Sequence, residues 1–125
     1  MKQILTNFEM EQRRNSLIPL LSQRNILGYI IARNYRMLSN ELLEYEKFRN
    51  DLIQKYGEQD KDENGNLLPT VTVKIGTENF VEFYTELKPL NDMKHEVDLM
   101  TAKYESVIDI LSGEEILSID WMLED

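Results

Sequence analysis

The chain has 125 residues, 42% of them hydrophobic, with 14 basic residues, 23 acidic residues, a formal net charge of −9 and no cysteine. That length and apolar content suit a single domain over residues 1–125 with its own core and exclude wholesale disorder. The missing thiols exclude disulfides, thiolate zinc sites and cysteine nucleophiles, and the acidic balance argues against broad nucleic-acid affinity.

The charge is divided between the two ends. Residues 1–40 hold six basic residues and two acids, and residues 41–125 hold eight basic residues and twenty-one acids. After Lys103 there is no basic residue, and seven acids follow. No apolar run approaches the roughly 20 residues of a membrane span. The N-terminus reaches Glu9 before an apolar stretch forms, so no signal peptide is expected. The expectation is a cytoplasmic protein.

In chain order, Gln3–Leu5 suits a short strand. Thr6 and Glu9 then have the spacing of a capping box, which predicts a helix from Asn7 to about Leu17. Pro19 breaks it. The second helix is the clearest element: Leu27, Ile31, Leu38, Leu42, Tyr45, Leu52 and Tyr56 recur at helical spacing over Ile26–Tyr56, with Arg33, Arg36, Asn40, Glu44, Lys47, Asp51 and Gln54 off that face. Such a helix is roughly 45 Å long, so part of it is expected to project or to pack on another chain. Gly28 suggests a close approach by the first helix, and Gly57 suits a left-handed cap.

Glu58–Asn66 reads as a polar turn. Val71, Val73 and Ile75 alternate with Thr72 and Lys74, as in a half-buried strand. Its partner is expected among Leu67–Leu68, Gln3–Leu5 and Val97–Met100. Thr77 can cap a third helix, ended or kinked by Pro89. Ser112 and Glu115 box a fourth that carries Ile116, Leu117, Ile119, Trp121 and Leu123. The fold class predicted is α+β, mostly helical: one long central helix, two or three shorter ones and a small sheet near residues 71–75.

Several of these segments together resemble a known group. They are the long helix with Arg33-Asn34 that ends Leu52-Ile53-Gln54-Lys55-Tyr56-Gly57, the turn Asp60–Asn66, Phe80 with Glu86-Leu87, and the closing Leu111–Leu117. The chain resembles a group of small, acidic, functionally uncharacterised proteins encoded by phages and prophages of Gram-positive bacteria. The resemblance implies a phage-encoded accessory protein in the cytoplasm of an infected host and carries no catalytic residues.

Asp60-x-Asp62-x-Asn64-Gly65 copies the start of a calcium loop, but positions 9 and 12 of that loop are Leu68 and Val71. Asp60, Asp62 and Asn64 are therefore weak metal candidates, and a polar turn with Asx bonds ahead of a strand is the better reading. His95, the one histidine, has no second histidine or cysteine to share a metal and reads as a surface residue of a polar run. No glycine-rich phosphate loop or nucleophile elbow occurs. The expectation is a protein that is not an enzyme and takes no cofactor or small-molecule substrate.

Two charged surfaces remain. Glu105, Asp109, Glu114, Glu115, Asp120 and Glu124, with Trp121 among them as an anchor or, being the only tryptophan, as a core residue, form an acidic array that can imitate the phosphate spacing of a nucleic acid. Arg24, Arg33 and Arg36, with Arg13 and Arg14, suit a basic patch. It either meets phosphate or an acidic partner, or docks onto the chain's own acidic helices or a second copy. The leading expectation is an anti-defence protein of the anti-CRISPR kind. It would block the basic groove of a nucleic-acid-binding host effector with acidic helices. A phage assembly factor or minor structural protein working through oligomerisation is the alternative, and a divalent-metal-binding module is the second.

Overall fold

Thr6 ends strand β1 (Lys2–Thr6) and opens helix α1 (Asn7–Leu17) with the reciprocal bonds its spacing predicts. Its hydroxyl accepts from the Glu9 N–H at 3.1 Å, and its own N–H donates to the Glu9 carboxylate at 3.0 Å. Two donors that no helical turn can satisfy are thereby paired. The helix stops at a 3-10 turn, Ile18–Leu20, that contains Pro19. The computed structural model describes residues 1–125, which form two compact units, one of residues 1–42 with 94–125 and the other of residues 43–93. The fold is α+β and mostly helical.

Helix α2 runs from Ile26 to Tyr56, as its periodicity predicts. Leu27, Ile31, Leu38, Leu42 and Tyr45 are buried, and all seven polar residues predicted off that face are exposed. Gly28 does mark a close approach, though not of α1. A Cβ there would lie 2.0 Å from the Gln23 carbonyl oxygen, in the turn that leads into α2. Gly57 does not take the left-handed conformation. Its N–H donates to the Ile53 carbonyl at 2.7 Å, and a Cβ would strike that oxygen and the Val71 side chain, at 2.4 and 2.5 Å.

The first unit places its core between α1, α2 and the returning C-terminal segment. Strand β4 (Lys94–Asp98) pairs antiparallel with β1, setting Leu5 opposite His95 and Gln3 opposite Val97. Leu5 and Val97 share the inner face and are 3% exposed, while Lys2, Ile4, Lys94, Glu96 and Asp98 are exposed. Met10, Leu17, Leu20, Leu99, Ala102, Val107, Leu111, Ile119 and Met122 complete the hydrophobic interior. The short strand β5 (Ala102–Lys103) pairs in parallel with β6 (Leu123–Glu124), which the sequence does not signal.

The second unit contains a hairpin and helix α3 (Glu78–Asn91) with the C-terminal part of α2. Strand β2 is the polar stretch Glu58–Lys61, expected to be a turn, and it pairs with β3 (Leu67–Thr72). The alternation read over residues 71–75 therefore covers only the last two residues of a strand that starts at Leu67. Thr77 caps α3 as expected, accepting from the Phe80 N–H at 3.1 Å, and the helix ends two residues past Pro89. Tyr45, Phe83 and Leu87 are buried here, and the Tyr45 hydroxyl donates to the Asn91 side chain.

Candidate interaction surfaces

The acidic segment does not form the extended helices expected of it. Ser112 and Glu115 make their capping box, with bonds of 3.2 and 2.9 Å, but the helix they open, α4 (Gly113–Ser118), has only 6 residues. Single 3-10 turns, Tyr104–Ser106 and Asp120–Met122, precede and follow it. Val107, Leu111, Ile119 and Met122 are drawn into the core from this segment. These buried positions anchor the segment, and Asp109, Glu114, Glu115 and Asp120 lie between them.

The carboxylates divide by what they touch. Glu115 is held by its cap, and Glu124 pairs with Lys103 at 3.6 Å. Glu105, Asp109, Glu114 and Asp120 are exposed, and none has a cation within ion-pair distance. Trp121 is not a free anchor. Its ring is half-buried with the Arg13 guanidinium stacked over it, 5.1 Å from the ring centre, and its indole N–H donates to the Ser16 hydroxyl at 3.3 Å. Arg13 also donates to the Gln3 side-chain oxygen. Burial lowers the Arg13 pKa, partly offset by Glu9, and the guanidinium remains a cation at neutral pH. Arg13 therefore belongs to a tertiary contact between α1 and the C-terminal segment and not to the basic patch.

Arg24, Arg33 and Arg36 are exposed, and no acid of the chain pairs with any of them. Docking of this patch onto the chain's own acidic segment is thus not observed, although both lie in the same unit. Arg33 and Arg36 line a hollow of about 250 Å³ with Met37 and Asn40.

One turn earlier on α2 is a larger groove of about 530 Å³. Ile26, Leu27 and Ile30 form one wall, Ala102 and Ile110 belong to the other, and the Lys103–Glu124 ion pair also lines it. Ile26 is 79% exposed. This groove escapes sequence reading, because its walls are more than seventy residues apart in the chain. The one local signal is that Ile26 and Ile30 lie off the apolar stripe of α2.

Asn34 also escapes notice. It is fully buried on the core face of α2, where its amide donates to the Met100 carbonyl at 2.9 Å and its oxygen accepts from the Met100 N–H at 2.8 Å. A polar residue among Ile31, Leu38 and Leu42 on the predicted core face is the signal for such a clamp.

In the hairpin, Asp60 accepts from the Thr70 and Thr72 hydroxyls at 2.6 and 2.9 Å, and Asp62 accepts from the N–H groups of Asn64 and Asn66 at 2.9 and 2.8 Å. The Thr70 hydroxyl above all holds the Asp60 carboxyl below its usual range, as the Asn66 N–H does for Asp62. Asp60, Asp62 and Asn64 thus build the turn and the strand pairing, and no group of three or more acids and histidines gathers at a metal-binding spacing. His95 is half-buried in β4, with its Nε2 shielded from solvent and without a hydrogen-bond partner.

No helix is long and apolar enough to cross a membrane. No family model matches the chain, and no curated protein or solved structure is found to match it.

Proposed function

We propose that this is a non-catalytic, phage-type accessory protein that acts in the cytoplasm of an infected bacterium. It binds a nucleic-acid-binding host-defence effector, as anti-CRISPR proteins do, and its carboxylates occupy the effector's basic groove. The observation that carries this reading is the isolation of Glu105, Asp109, Glu114 and Asp120, which face solvent with no cation of the chain beside them. Carboxylates left unneutralised on a surface that the core holds in place lose little freedom on meeting a basic groove. Their field also speeds the encounter. The resemblance to phage-encoded proteins supplies the setting.

The test is the affinity for purified RNA-guided nucleases, measured across about 0.05 to 0.5 M salt. Binding that weakens at least about tenfold over that range and is lost in the E105Q/D109N/E114Q/D120N variant is expected. Affinity that stays flat with salt, or that survives those four changes, sinks the proposal.

A second reading, an assembly factor working through α2, is favoured by Ile26, Tyr29, Leu43 and Phe48. They lie on that helix and are 79, 61, 61 and 55% exposed. It requires a defined oligomer at micromolar concentration, and a clean monomer by sedimentation counts against it.

A further inference from the structure

We infer that the exposed flank of α2 over Ile26–Asn40 is a docking strip for an acidic amphipathic helix of a partner protein. Its site is separate from the carboxylate surface of the proposed function. The strip follows from helix geometry. Ile26, Ile30, Arg33, Met37 and Asn40 are spaced by alternating steps of four and three, so they share one face. That face lies roughly 110° around the helix from the stripe of Leu27, Ile31, Asn34 and Leu38, which points into the core. Along it the chemistry changes in one step. The N-terminal half forms a wall of the apolar groove, and the C-terminal half lines the hollow with Arg33 and Arg36.

The charges decide between occupants. A second copy paired strip to strip, in either direction, brings the arginines of both copies close to one another, a like-charge contact that destabilises the pair. Nucleic acid has phosphate for the arginines but nothing for the apolar half. A helix with two apolar side chains one turn apart and carboxylates one and two turns further on satisfies both halves. Such seating of an apolar face in a groove is a common mode of helix recognition. Arg33 and Arg36 have no acid of their own chain to release, so pairing with those carboxylates breaks nothing.

The probe is a fluorescent helical peptide of about 18 residues, with two leucines one turn apart followed by two glutamates. It is made in both chain directions and with lysines in place of the glutamates. Fluorescence anisotropy with the full chain is expected to give a Kd of about 10–100 µM for one glutamate peptide and no binding of the lysine forms. R33E/R36E and I26D should each weaken the glutamate peptide at least about tenfold with the circular dichroism unchanged, while E114Q/D120N leaves it alone. R33E/R36E should also gain affinity for a lysine peptide, which loss of folding cannot mimic. The inference is overturned if neither glutamate peptide binds, if lysine and glutamate forms bind alike, or if duplex DNA outcompetes the peptide. Self-association abolished by R33E/R36E would assign the strip to a second copy and overturn it equally.

Discussion

Asn34 holds two remote parts of the first unit in register. Its fully buried side chain satisfies both backbone groups of Met100. Asn34→Ala leaves that N–H and C=O unpaired and opens a void, and buried groups deprived of partners each cost about 1–3 kcal/mol. A loss of about 2–5 kcal/mol in urea unfolding is expected, and a loss below about 0.5 kcal/mol, the range of an ordinary surface change, would show that the clamp contributes nothing. Asn34 escapes sequence reading, although it falls at helical spacing with Ile31 and Leu38, and no local pattern could name Met100. The same limit applies to Arg13 and Trp121: each reads as a binding residue in the sequence, and each meets the other in the fold.

Among the elements, the start of α2 gives the sharpest contest between local and tertiary preference. Alanine is about 1 kcal/mol better than glycine inside a helix, so Gly28→Ala considered locally should stabilise. Its Cβ, however, would sit 2.0 Å from the Gln23 carbonyl oxygen, and the connecting turn must move. Overpacking of this kind costs about 1–3 kcal/mol, so the variant is expected to unfold at lower urea than the wild type. A rise in its midpoint would mean that the turn yields freely. Helix starts were legible because a cap is a local bond: Thr6 with Glu9, Thr77 with Phe80 and Ser112 with Glu115. Strand β2 was not, since Glu58–Lys61 has no strand pattern and its cross-strand contacts, such as the Thr70 and Thr72 hydroxyls that reach Asp60, come from β3.

Over the whole molecule, burial is unequal. The second unit buries Tyr45, Phe83 and Leu87, while the first buries fifteen of the eighteen hydrophobic core residues. Every residue from Lys61 to Thr70 is exposed. Regions with few buried apolar contacts open at lower free energy than the global transition. Native-state amide exchange should therefore be slowest in β1 and β4, at Leu5 and Val97 in particular. The β2–β3 hairpin should exchange orders of magnitude faster. Equal protection in the two sheets would show that both open only with global unfolding.

The fold class, the four helices and the charge imbalance between the chain's ends were determined by the sequence alone. Each rests on residue spacing within one or two turns, or on simple counting. The register of β1 on β4, the groove beside Ile26 and the separation of the arginines from the carboxylates came only with the tertiary structure. So did the Asn34 clamp, which joins residues 66 positions apart. The physical reason is that a side chain's neighbours across the core are chosen by the packing of distant segments, and no local pattern records which segment that will be.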